Sequence, residues 1–129
     1  MLKGKGTLTP IQKNLLGEFE KIPEASFFYL TGGTALAEFH LGHRRSYDLD
    51  FFTRERDLII PFARVVEEKL VQAQYAFNVI RRFESFVEFE VNKKEESMRL
   101  HFAQDSPFRF GEPQLSEFAV RVNDYRDLV

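Results

Sequence analysis

Apolar residues recur at helical spacing over residues 10–22, where Ile11, Leu15, Phe19 and Ile22 fall on one face. Thr9-Pro10 supplies an N-cap followed by a proline at the first helical position, so the spacing predicts a helix that starts there. Residues 23–26 break it, and the aromatic run Phe27-Phe28-Tyr29-Leu30-Thr31 predicts a buried strand. Two glycines follow. From Gly32-Gly33 the residues Ala35, Leu36, Phe39 and His40 predict a second helix that stops near Gly42, and residues 43–47 form a polar corner. The pattern then switches to period two over residues 48–53, a strand that puts Asp48 and Asp50 on one face. After a charged link over 54–58, Pro61 begins a third helix carrying Phe62, Val65, Val66, Leu70 and Ala73.

Alternation returns from Ala76 onward. Residues 77–83, 85–91 and 97–103 are three predicted strands, with a turn over 92–96, and their short connections predict an antiparallel meander. Ser106-Pro107 marks a loop, residues 119–122 a short strand, and Asn123-Asp124 the cap of a further helix. Helices alternate with strands and then give way to strands alone, which predicts an α/β or α+β domain with helices packed on a mixed sheet. At 129 residues the chain is expected to form a single domain, 1–129.

Composition narrows the function classes. Fifteen phenylalanines and no tryptophan predict a core dominated by phenyl rings. A net charge of −2 excludes a global basic field, so any polyanion site must be local; arginines outnumber lysines, which favours directed phosphate or carboxylate contacts. The absence of cysteine excludes disulfides, thiolate zinc sites and a cysteine nucleophile. No apolar run approaches membrane-spanning length and no leader pattern opens the chain, so a cytoplasmic protein without membrane partners is expected.

The candidate chemistry lies between Leu30 and Phe52. A strand that ends on Gly32-Gly33 at a helix start collects unpaired backbone N–H groups and the positive end of a helix dipole, which suits a phosphate; glycine is equally the residue of a tight turn. Asp48 and Asp50 at i and i+2 have Cα atoms about 6–7 Å apart. Two carboxylates on one face repel unless a cation lies between them, and all-oxygen ligation suits Mg²⁺ or Mn²⁺. The alternative is a solvated sheet face, although Leu49, Phe51 and Phe52 make the strand strongly apolar. Arg44 and Arg45 are placed to contact phosphates, or to form a solvated corner. His40 and His43 lack a third ligand for a metal, and His40 suits packing on a helix face. An anion cradle, a carboxylate pair and a nearby cation together make the equipment of phosphoryl or nucleotidyl transfer.

Gly32-Gly33-Thr34-Ala35-Leu36 with Arg44-Arg45-Ser46-Tyr47-Asp48-Leu49-Asp50-Phe51-Phe52 resembles the nucleotidyltransferase superfamily, and within it the AbiEii-like toxins of bacterial type IV toxin–antitoxin systems. Fourteen residues separate Gly33 from Asp48, a spacing at home in that branch. The resemblance implies a nucleotidyltransferase-like fold and metal-dependent transfer of a nucleotide from a nucleoside triphosphate (NTP) to an RNA, tRNA-like, or protein acceptor, with an antitoxin as partner. It also implies roles: Gly32, Gly33 and Thr34 at the phosphates, Arg44 and Ser46 as the Arg-x-Ser before the first acid, and Asp48 and Asp50 on Mg²⁺ or Mn²⁺. A third carboxylate is expected on the strand Met98-Arg99-Leu100-His101-Phe102-Ala103, where this chain has His101; His101 therefore joins Asp48 and Asp50 as an expected catalytic residue, with Glu88 or Glu90 as alternative acids. Residues 123–129 resemble the threshold of the helical domain that completes the family's toxins, which is expected to be absent from this chain. A non-catalytic nucleotide- or partner-binding module is the alternative function.

Overall fold

The computed structural model describes residues 3, 4, 6, 8–32, 48–105, 112–116, 121 and 122. The expected second helix, the polar corner, the Ser106-Pro107 loop and everything from Asn123 onward lie outside the described residues, as do Gly33, Thr34, His40, His43, Arg44, Arg45 and Ser46.

Helix α1 spans Pro10–Phe19. Thr9 caps it in a reciprocal box: the Gln12 N–H donates to Thr9 Oγ1 at 3.4 Å and the Thr9 N–H donates to Gln12 Oε1 at 2.9 Å. The helix stops three residues short of the expected Ile22, because Pro23 starts a 3₁₀ turn over Pro23–Phe27. That turn takes in Phe27, which is exposed, and confines strand β1 to Tyr29–Thr31. Strand β2 spans Asp48–Thr53, as expected. Helix α2 spans Ile59–Gln72 and begins two residues before Pro61; a proline is tolerated in the first turn because the N–H groups there have no helical acceptor.

Strands β3 (Ala76–Phe83), β4 (Phe86–Lys93) and β5 (Glu96–Gln104) form the expected antiparallel meander. β6 (Gln114–Leu115), which no pattern in the sequence marks, pairs with β7 (Arg121–Val122), the described part of the expected strand over 119–122. All seven belong to one sheet in the order β3-β4-β5-β2-β1-β7-β6, mixed because β5 runs parallel to β2 and β7 parallel to β1.

Alternation divides the sheet into an apolar and a polar face. Leu49 and Phe51 of β2, Leu100 and Phe102 of β5, and Val87, Phe89 and Val91 of β4 are buried against Leu15 and Phe19 of α1 and Phe62 and Val66 of α2. Phenyl rings join the two layers: Phe19 meets Phe51 edge-on at 5.0 Å, Phe62 meets Phe102 edge-on at 5.2 Å, and Phe28 stacks on Phe62 at 4.2 Å. The helices thus cover one face, and the polar side chains of β2, β4 and β5 stand on the other. No helix among the described residues is long and apolar enough to cross a membrane.

Candidate functional site

The polar face carries one continuous row of paired residues. Thr31 of β1 lies opposite Asp50 of β2, Asp50 opposite His101 of β5, His101 opposite Glu88 of β4, and Glu88 opposite Arg81 of β3. One step along the strands, Asp48 lies opposite Arg99, and Arg99 opposite Glu90. Side chains two apart on a strand share a face, so the period-two pattern in the sequence places Asp48 beside Asp50 and Arg99 beside His101. Cross-strand pairing then brings the two sets together.

His101 is held at both ends of its ring. Nδ1 lies 2.5 Å from Asp50 Oδ1 and Nε2 lies 3.0 Å from Glu88 Oε2. Both acceptors are carboxylate oxygens, so the ring satisfies them by donating from both nitrogens, as an imidazolium does. The hydrogen bond to Asp50 raises the His101 pKa above its ordinary value; burial opposes that rise, and the bond to Glu88 reinforces it. The ring of Phe86 lies against the imidazole at 5.7 Å between centroids.

Glu88, between His101 and Arg81 in this row, is buried, 4% exposed. Burial pushes its pKa up, but hydrogen bonds from His101 and Arg99 outweigh burial and leave it below the ordinary value. Arg99 Nη1 donates to Glu88 Oε2 at 2.8 Å, and Arg81 Nε lies 3.7 Å from Oε1. The Glu88 carboxylate is thus committed to His101 and two arginines, on the far side of the imidazole from Asp50.

Gly32 adjoins the row at the end of β1. Its φ is +76°, a conformation that L side chains rarely adopt, and a Cβ built there would overlap Asp50 Oδ2 and stand 3.2 Å from Asp50 Cγ. Glycine at 32 therefore serves two needs, a left-handed turn and the close approach of the Asp50 carboxylate. On the opposite side, Gln12 of α1 is fully buried and its amide donates a long 3.5 Å hydrogen bond to the carbonyl of Asp48. Nothing in the sequence marked Gln12 beyond its place at the third position of a capped helix. Arg99 had a stronger signal, since it alternates with His101 on a strand whose apolar members face the core.

Asp48 and Asp50 offer carboxylate oxygens on one face, with the Asp50 side chain about one-third exposed at 32%. The bare Cα of Gly32 lets the Asp50 carboxylate approach where a Cβ would overlap its Oδ2. Two carboxylates on one face are oxygen donors of the kind a hard divalent cation takes. The position expected to hold a third acid is occupied by an imidazole that engages Asp50, and among the described residues no group of three or more His, Cys, Asp or Glu side chains is arranged to hold a metal.

Residues 14–121 match the family described as nucleotidyl transferase AbiEii toxin, type IV toxin–antitoxin system. Comparison with curated proteins gives no significant match. Among solved structures the chain is similar to JHP933 from Helicobacter pylori, at 17% identity and a TM-score of 0.61 over 85% of this chain and 47% of that one. It is also similar to MenT4, a nucleotidyltransferase toxin from Mycobacterium tuberculosis H37Rv, at 23% identity and a TM-score of 0.50 over 72% of this chain and 35% of that one. Both likenesses concern the fold, and the chain spans about half the length of the first structure and about a third of the second. The polar row and the Gly32 turn are carried on a nucleotidyltransferase-like sheet, and the match over residues 14–121 makes the chain a member of the AbiEii nucleotidyltransferase toxin family.

Proposed function

We propose that residues 1–129 form one nucleotidyltransferase-like domain that binds an NTP with Mg²⁺ or Mn²⁺ and transfers a nucleotide to an RNA, tRNA-like, or protein acceptor, as the toxin of a pair restrained by an antitoxin. The observation that carries this proposal is the pair Asp48 and Asp50 on one face of β2, with the Asp50 carboxylate packed against Gly32. Asp48 and Asp50 would hold the cation. Gly32, Gly33 and Thr34 would receive the phosphates through backbone N–H groups, and Arg44 and Ser46 would contact the same phosphates from the segment before Asp48. A cation held by these carboxylates supplies positive charge that offsets the negative charge of the triphosphate. His101 orients Asp50 through the Nδ1 hydrogen bond and leaves its Oδ2 edge toward Gly32.

One observation favours a second function. Because His101 draws on the same carboxylate that a metal would use, the domain also suits a nucleotide- or partner-binding module that retains the fold without catalysis. Incubation of the chain with each labelled NTP, Mg²⁺ or Mn²⁺, and either total tRNA or a protein lysate separates these functions and identifies the acceptor. Label transfer that disappears in Asp48→Asn and Asp50→Asn supports the transferase. NTP binding without transfer supports the module, and equal NTP binding by the parent and both variants sinks the metal-dependent transferase.

A further inference from the structure

We propose that His101, braced from behind by Glu88, limits this site to a single divalent cation held by Asp48 and Asp50. The inference rests on the metal-binding role proposed above and concerns how many ions that role admits.

A second ion shared between Asp50 and the strand-β5 position would need the side of Asp50 that faces residue 101, together with an unengaged ligand atom on residue 101. Neither is available. Asp50 Oδ1 is engaged by His101 Nδ1 at 2.5 Å, and the other ring nitrogen is turned away from Asp50 toward Glu88 Oε2 at 3.0 Å. A half-turn of the ring about its Cβ–Cγ bond would put Cδ2 and Cε1 in place of Nδ1 and Nε2 and forfeit both hydrogen bonds.

Removing the ring from this position is opposed on three sides. Glu88 is buried and would give up its hydrogen bond from Nε2, leaving a carboxylate with poor access to water. Arg99 at 2.8 Å and Arg81 at 3.7 Å also pair with Glu88, so its carboxylate has partners besides the ring. Phe86 lies along the imidazole with the two planes 31° apart. The register across β2, β5 and β4 sets residue 101 between residues 50 and 88 in the sheet, and the imidazole bonds to both acids from there. Glu88 is therefore a positioning residue, acting through His101 and without contact to the cation.

The test counts Mn²⁺ bound per chain, from the loss of the free-ion electron paramagnetic resonance signal, with Mn²⁺ alone as the probe and folding checked by circular dichroism. One Mn²⁺ is expected for the parent chain, none for Asp50→Asn, and two for His101→Asp, in which a third carboxylate faces Asp50 and the imidazole is gone. Two Mn²⁺ on the parent chain would overturn the single-ion inference while leaving the metal-binding role intact. No Mn²⁺ on a folded parent chain would overturn the role and the inference together. One Mn²⁺ on a folded His101→Asp chain would show that His101 is not the limiting group; if that variant does not fold, the parent count decides.

Discussion

Gly32 shows how much one missing carbon atom can hold in place. Alanine at this position meets two separate penalties, a left-handed φ that costs an L residue about 1–2 kcal/mol and a Cβ that overlaps the Asp50 carboxylate. Gly32→Ala should therefore lower the stability of the chain by more than the backbone term alone and turn Asp50 away from Asp48. Urea unfolding reads the first effect and Mn²⁺ affinity the second, and an alanine variant with unchanged affinity would show that the approach of Gly32 to Asp50 has no part in the site. His101 and Glu88 carry a pH dependence of opposite signs. The His101 pKa is raised on folding, so its contribution is complete below its ordinary value of 6.5 and is lost as pH rises through the folded value. The Glu88 pKa is lowered, so its contribution is complete above its ordinary value of 4.5 and is lost as pH falls through the folded value. The row should stabilise the metal-free fold fully only between these two values. The stability difference between the parent and His101→Gln, measured by urea midpoint across this range, should be largest inside the window and should shrink at higher pH; a difference independent of pH would show that the imidazole is not held as a cation.

The elements differ in what maintains them. α1 depends on its Thr9–Gln12 box, and Thr9→Ala should cost about 1 kcal/mol, read as a lower denaturation midpoint, with loosening of the Gln12 amide that reaches the Asp48 carbonyl. β5 depends on Phe102, whose ring meets Phe19, Phe28, Phe51, Phe62 and Phe89. Phe102→Ala should cost about 3–5 kcal/mol, a large share of the stability of a small domain, and a loss under about 1 kcal/mol would mean that the neighbouring rings collapse into the cavity. Element identity was well marked in the sequence wherever a period ran for six residues or more: β2 and the three strands of the meander follow their alternation, and α2 follows its spacing at 62, 66 and 70. Boundaries were less legible. Pro23 reads as a breaker without revealing that it begins a 3₁₀ turn that takes Phe27 out of β1, and Pro61 reads as a first residue although the helix accommodates it in its first turn. β6 has only two residues, too few for any period to register.

At the scale of the whole molecule, the main property that local patterns do not record is which strand lies beside which. Alternation places Asp50 and His101 each on the polar face of its own strand, yet only the parallel pairing of β2 with β5 makes them neighbours. The same pairing explains why Glu88, which the sequence offers as a substitute acid, ends up behind the imidazole and committed to Arg99 and Arg81. Burial of an acid depends on partners supplied by two other strands, so nothing in the immediate surroundings of Glu88 along the chain could announce it.

The parallel pairing also sets an order in time. A ribosome releases Asp48 and Asp50 well before it reaches His101, 51 residues after Asp50, and Glu88 lies between them. During synthesis the two carboxylates exist for that interval without the imidazole, and Asp50 reaches its resting partner only when the last strand of the meander inserts beside β2. A nascent chain that stalls before residue 101 carries both acids but not the residue that holds one of them.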